Sequence, residues 1–167
     1  MPNFLVIGAA KSGTTTLHNY LNQHPQIYMS SLKEPHFFSG DAFPNRPITN
    51  LEDYCALFQG VSDEIAIGES STTYLGIAEI AAECIQHYIP KAKLIAILRD
   101  PAEATYSLYL MSHRSKLHGV DEKKILKNFA QVIQNKSSQL IRRRYYYNNL
   151  KYYFSRFERE QIKICLY

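Results

Sequence analysis

Short uncharged apolar runs alternate along this chain with longer amphipathic stretches. Phe4-Leu5-Val6-Ile7 lies in an expected first strand over residues 3–8, and Leu94-Ile95-Ala96-Ile97-Leu98 carries no charge after Lys93. Runs of this kind suit strands buried on both faces of a parallel sheet. Residues 65–69 and 162–167 read as further strands, and 27–29 as a short one. Between them apolar residues return at helical spacing. Leu17, Tyr20 and Leu21 predict one buried face on a helix over 14–23. His24-Pro25 ends that helix, because the residue before proline is pushed out of helical geometry. Helices are expected over 51–59, with Asn50 as cap, and over 76–88, 102–113, 121–135 and 143–157. In the last of these Tyr146, Leu150, Tyr153 and Phe157 share a face, which assigns those tyrosines to the core. Residues 33–48, with Pro35, Pro44 and Pro47, read as loop. The alternation implies crossover helices and a three-layer α/β fold with a mainly parallel central sheet flanked by helices. At 167 residues and 46% hydrophobic content the chain suffices for one domain, and no repeat or linker marks a second.

In open parallel sheets ligands collect beyond the carboxyl ends of the strands, so the segments Gly8–Thr16, Glu69–Tyr74 and Arg99 are expected to share one cleft. The first is the richest in chemistry. Gly8-Ala9-Ala10-Lys11-Ser12-Gly13 has the Gly-x-x-x-x-Gly spacing of a phosphate loop, and Thr14-Thr15-Thr16 opens the helix behind it. Glycines let the backbone approach an anion closely, and a helix N-terminus points unpaired N–H groups at it. A nucleotide triphosphatase carries Lys then Ser or Thr after the second glycine. Here Thr14 and Thr15 stand there and Lys11 lies inside the loop, which argues against Mg²⁺-coordinated triphosphate chemistry.

This loop resembles the 5′-phosphosulfate loop of sulfotransferases that use 3′-phosphoadenosine 5′-phosphosulfate (PAPS), where lysine precedes Ser-Gly-Thr-Thr. A second motif agrees: the apolar run ends in Arg99-Asp100-Pro101, and Ser107 follows on an expected helix. In the family this arginine and this serine bind the 3′-phosphate. A third is Lys33-Glu34-Pro35-His36-Phe37-Phe38, since glycan-type members carry their general base shortly before such an aromatic pair. The resemblance runs from Phe4 to the last strand. It implies the P-loop-like sulfotransferase fold, PAPS as donor and 3′,5′-bisphosphoadenosine (PAP) as product, and a hydroxyl acceptor on a carbohydrate, lipid or small metabolite. It assigns Lys11, Ser12, Gly13, Thr14, Thr15, Thr16, Arg99 and Ser107 to the cofactor, with Glu34 as base, Lys11 stabilising the leaving group, and His36 contacting the acceptor or assisting Glu34. No metal is called for. Thr16 stands where several cytosolic members have tryptophan. Gly68-Glu69-Ser70-Ser71-Thr72-Thr73-Tyr74 resembles the family's Gly-Glu-Lys-Ser-Pro-x-Tyr segment, but Ser70 replaces the lysine and Thr72 the proline. That departure weakens the case for an anionic polysaccharide acceptor.

The net charge of +4 suits an anionic cofactor or acceptor and carries no nucleic-acid-reading motif with it. Cys55, Cys84 and Cys165 are widely spaced and form neither a disulfide framework nor a zinc pattern, so they are expected reduced and buried. No targeting segment precedes the first strand and no run is long enough to span a bilayer, which leads to the expectation of a cytoplasmic protein, bacterial or excised from a longer one. Measured against the family, residues 1–167 are expected to be a single sulfotransferase-like domain lacking the usual C-terminal portion. Two alternatives stay open: a P-loop nucleotide-dependent kinase, and a lidless module that holds PAP without catalysis.

Overall fold

The computed structural model describes residues 1–114, 121–135 and 138–167. Its strands are β1 (Phe4–Gly8), β2 (Ile27–Met29), β3 (Ala66–Ser70), β4 (Lys93–Leu98) and β5 (Ile162–Leu166), joined in one parallel sheet of order β2-β3-β1-β4-β5. The described helices are α1 (Thr14–Leu21), α2 (Leu51–Ala56), α3 (Thr73–Gly76), α4 (Ala78–Tyr88), α5 (Pro101–Ser112), α6 (Glu122–Gln134), α7 (Gln139–Arg142) and α8 (Tyr146–Phe154).

The burial of β1 follows from its place in the middle of the sheet. All of its residues are buried, and their alternation divides them between two layers. Leu5 and Ile7 pack into the larger core with Tyr74, Leu75, Ile85 and Tyr153; Phe4 and Val6 join Met29 on the other face, where Leu17 and Leu21 of α1 cover them. Helix α4 shows why the larger layer closes: Ala78, Ala81, Ala82 and Ile85 recur at helical spacing, and small side chains let the helix lie close. Register pairs Phe4 with Gly68, and a Cβ at Gly68 would collide with the Phe4 ring.

Several expectations need correction. Tyr20 is not on the buried face of α1 but 67% exposed; Thr14 and His18, four apart, are the buried pair, with Leu17 and Leu21 beside them. The helix expected over 143–157 starts only at Tyr146, after the short α7 and a turn in which Arg144 donates its backbone N–H to Ile141 and accepts one from Tyr146. Burial of the Arg144 side chain accompanies this break. The helix expected over 76–88 starts at Ala78, because Ile77, with φ of −125° and ψ of 40°, is not helical and separates it from the short α3. The loop over 33–48 contains a 3-10 segment, Phe37–Ala42, anchored by Phe37 stacked on Tyr54 at 4.4 Å. Leu150, Tyr153 and Phe157 are buried as the periodicity implies, with Tyr146 partly so. The cysteines are free and half-buried. No helix among the described residues is long and apolar enough to cross a membrane.

One carboxylate sits inside this core. Glu69 has no exposed surface, Tyr54 donates its phenol to Oε1 at 3.4 Å, and Oε2 makes no hydrogen bond of good geometry among the described residues. Burial pushes its pKa up to about 8, assisted by the negative Glu34 and opposed by hydroxyl groups of Tyr74, Ser71 and Tyr54. The folded protein therefore holds Glu69 neutral while the unfolded chain ionises it from about pH 4.5 upward. Stability from this group is fully present below that pH, falls by up to about 1.4 kcal/mol per pH unit, and levels off above about pH 8. Denaturant unfolding of wild type and Glu69→Gln from pH 5 to 9 reads this directly. The wild type should lose stability relative to the variant as pH rises, and a pH-independent difference would refute the assignment.

Candidate active site

The carboxyl ends of β1, β3 and β4 lie side by side because β3 and β4 both hydrogen-bond to β1. Each end delivers one part of a cleft. From β1 comes the loop Gly8–Gly13, shaped by bonds from Ala9 N–H to Ile97 O at 2.7 Å and Ser12 N–H to Ala9 O at 3.3 Å. Gly13 caps α1 with φ +74° and contributes no side-chain bond, so the first-turn amides of α1 are free of a competing cap. A Cβ on Gly13 would stand 2.7 Å from the Tyr167 ring, which covers the loop from the end of β5.

From β4 comes Arg99, whose guanidinium lies over the Tyr167 ring at 5.0 Å and donates to Lys11 O at 3.3 Å. Its salt bridge is to Glu103 at 2.9 Å, one turn along α5, while Asp100 caps that helix by accepting from Ala102 and Glu103 N–H. The Lys11 ammonium approaches Met111 Sδ at 3.6 Å and has no carboxylate within 4 Å among the described residues.

From β3 comes the support for Glu34. Glu34 N–H donates to Ser70 O at 2.9 Å, and the Ser71 hydroxyl accepts from His36 N–H at 3.1 Å. The carboxylate then collects Thr72 N–H at 2.9 Å on Oε2, with the Thr72 hydroxyl at 3.0 Å and Lys33 Nζ at 2.9 Å on Oε1. His36 Nε2 lies 3.5 Å from Oε2, and its Nδ1 pairs with the Thr73 hydroxyl at 2.9 Å. Burial, ahead of the opposing pull of Glu34, lowers the His36 pKa and favours the neutral imidazole. Lys11, Glu34 and His36 all have positive φ, at 68°, 62° and 55°. Such a conformation costs about 1–3 kcal/mol per residue and persists where surrounding bonds impose it, commonly at functional sites.

Two cavities meet at Glu34. One, of about 390 Å³, is lined by Lys11, Gly13, Thr14, Thr15, Arg99, Ser107 and Tyr167. The other, of about 350 Å³, is lined by His36, Thr73, Leu108, Arg143 and Arg144. Both include Ala10, Glu34, Thr72 and Met111. The structure thus brings most of the sequence-derived residues to one place and leaves two aside. Ser12 is fully buried with its hydroxyl beside the Tyr146 phenol, and Thr16 is exposed on α1 outside both cavities. Glu69 and Tyr74, expected in the cleft, are core residues beneath it.

Sequence reasoning placed Thr72 and Thr73 in the cleft only as part of the segment Glu69–Tyr74, with no role, and did not select His18, Met111, Tyr167 or the Arg143–Arg144 pair. His18 bonds the Ser70 hydroxyl through Nδ1 at 3.1 Å, and burial, ahead of nearby Lys33, lowers its pKa. One signal was available for Met111, which follows Ser107 by one helical turn. Thr72 counted only as a lost proline, yet a proline has no N–H and no hydroxyl to give Glu34.

The sulfotransferase domain family model matches residues 1–167. The chain is 37% identical over 115 residues to the membrane-associated sulfotransferase kil1 of Dictyostelium discoideum, covering 67% of this chain and 23% of that one. It is 28% identical over 190 residues to carbohydrate sulfotransferase 15 of Mus musculus, covering 89% of this chain and 34% of that one. It is 32% identical over 142 residues to the human bifunctional heparan sulfate N-deacetylase/N-sulfotransferase 2, covering 82% of this chain and 15% of that one. The chain therefore spans about a third or less of the length of these relatives. Among solved structures, a sulfotransferase from Alicyclobacillus acidocaldarius superposes with a TM-score of 0.80 at 33% identity, over 99% of this chain and 73% of that one.

The paired donation from Thr72 makes a test that needs no substrate. In a double-mutant cycle on unfolding free energy, Thr72→Val and Glu34→Gln should couple by about 1 kcal/mol, as expected for a charge-assisted hydrogen bond that is partly exposed. Strictly additive effects would show that the Thr72 hydroxyl does not hold the carboxylate.

Proposed function

The chain belongs to the sulfotransferase family, and from that premise we propose that it moves a sulfuryl group from PAPS to a hydroxyl of a carbohydrate. The observation that carries this reading is the position of Glu34, on the wall common to two cavities of different character. A donor site and an acceptor site must share a boundary where the group passes, and a carboxylate stands there.

The cavity beside the loop fits the donor. Free first-turn amides and a lysine without a carboxylate partner favour an anion at one end. At the other, the Arg99 guanidinium and the Ser107 hydroxyl supply charge and a donor for the 3′-phosphate. When bound, PAPS supplies a sulfuryl group already attached to a phosphate leaving group. Lys11 stabilises negative charge developing on the leaving side without any reorganisation of solvent. Glu34 accepts the proton of the incoming hydroxyl; three donors, the Thr72 amide, the Thr72 hydroxyl and the Lys33 ammonium, fix its orientation, and a general base so placed contributes about 10²- to 10⁴-fold. His36, neutral and anchored on Thr73, orients the second carboxylate oxygen. Support for a carbohydrate acceptor comes from the relatives, carbohydrate sulfotransferase 15 of Mus musculus among them.

The decisive experiment combines calorimetry with turnover. PAP should bind more tightly than ADP, and Arg99→Ala should weaken PAP at least about tenfold, given about 1.5–3 kcal/mol for a charge-assisted bond. Equal affinities for ADP and PAP would remove the 3′-phosphate role. Glu34→Gln should slow transfer by about 10²-fold or more with PAP affinity little changed. If Glu34→Gln kept near-normal turnover while His36→Ala abolished it, the base would be the histidine. A wild type that binds PAP but transfers to no acceptor in a hydroxyl panel would be a binding module instead.

A further inference from the structure

The second cavity contains a feature that proton abstraction does not use. Arg144 is only 6% exposed, and both its Nε and Nη2 are buried without a hydrogen-bond partner among the described residues. The Nε of the adjacent Arg143 is likewise buried and unpartnered. Neither guanidinium has a carboxylate within 4 Å among the described residues. Both side chains line the same 350 Å³ cavity as Glu34 and His36.

We propose that Arg143 and Arg144 form an anion subsite in this cavity, taking a carboxylate or sulfate ester carried by the acceptor whose hydroxyl is presented to Glu34. The proposal rests on the assignment of this cavity to the acceptor. Its basis is the cost of the arrangement in the free protein: burying charged guanidinium nitrogens without a partner is unfavourable, and the like charge of Arg143 adds to the penalty on Arg144. An anion between them supplies the missing acceptors, and the planar fork of arginine matches carboxylate and sulfate oxygens in pairs.

The surroundings fix the pair in place. Asn149 Nδ2 donates to Arg143 O at 3.4 Å, and Arg144 O accepts from Tyr146 N–H at 2.8 Å, so the turn between α7 and α8 is held at both residues. Gly76 makes room for Arg143, since a Cβ there would come within 2.8 Å of Arg143 Cγ. The charge pattern gives direction. Glu34 and His36 occupy one part of the cavity wall and the arginines another, so an acceptor bearing a single anionic group is oriented with that group away from the base. A cavity of this volume accommodates a sugar unit. Position 70 is a buried Ser70 bonded to His18 and lines neither cavity, so charge recognition of an acceptor falls to the arginines.

The test measures binding to PAP-saturated protein by calorimetry. Three probes are used: a glucuronate-containing tetrasaccharide, its carboxyl-reduced neutral counterpart, and the reduced form bearing a sulfate ester. At least one anionic probe should bind about tenfold or more tightly than the neutral one, and its identity tells carboxylate from sulfate. Arg144→Gln and Arg143→Gln should each erase most of that preference, with Arg144→Lys keeping part of it and PAP affinity unchanged in all three. Raising NaCl on the wild type should weaken only the anionic probe, which gives a readout independent of any variant's folding. Equal binding of all three probes, or no binding of any, overturns the proposal while leaving the PAP measurements to judge the donor site. A loss of PAP affinity in Arg144→Gln would also overturn it, because the pair would then belong to the donor.

Discussion

Everything at the site depends on β1 being hydrogen-bonded on both edges. Because β3 pairs with one side of β1 and β4 with the other, three strand ends that are far apart in the chain finish next to one another. The chain passes from β3 to β4 across the strand between them, so the crevice lies where connections leave the sheet in different directions. The loop after β1 supplies backbone amides, the end of β3 supplies acceptors and donors for the Glu34 segment, and the end of β4 supplies Arg99. An open parallel sheet offers few other places where such groups converge.

Two carboxylates near this edge show how environment separates chemical roles. Glu69 lies inside the core with one weakly held oxygen and one that makes no hydrogen bond of good geometry among the described residues, and burial keeps it protonated well above the usual carboxylate range. Glu34, bonded through its N–H to the carbonyl of Ser70 at the end of the same strand, is partly exposed and surrounded by an amide, a hydroxyl, an ammonium and an imidazole. The neutral acid beneath has no charge with which to repel the carboxylate above. The aromatic layer of Phe37, Phe38, Tyr54 and Tyr74 stands between solvent and Glu69, and it also carries the loop on which Glu34 and His36 are mounted. Packing and site geometry are therefore products of the same side chains.

Much of this was legible in the chain itself. Runs such as Phe4–Ile7 and Leu94–Leu98 imply buried parallel strands because both of their faces must be covered, and the glycine spacing with Lys11 inside the loop describes an anion cradle locally. Lys11, Gly13, Thr14 and Thr15 are neighbours in sequence, so their convergence needs only a strand, a turn and a helix. Arg99, at a strand end, was placeable at the same edge from the local pattern, whereas Ser107 was singled out by the family resemblance. The local readings rest on interactions between residues that are close along the chain.

The remainder is long-range and was decided only in three dimensions. Tyr20 and His18 both fit a helical face by spacing, and which one is buried depended on where β2 and β3 lie against α1. Thr72 holds Glu34 from 38 residues away, a pairing set by the close approach of the Glu34 loop to the end of β3. Periodicity alone does not show the break between α7 and α8 that turns Arg144 inward and leaves its Nε and Nη2 without hydrogen-bond partners among the described residues. Local sequence sets which backbone shapes are cheap, whereas the burial of a given polar group is settled by what the rest of the chain packs over it.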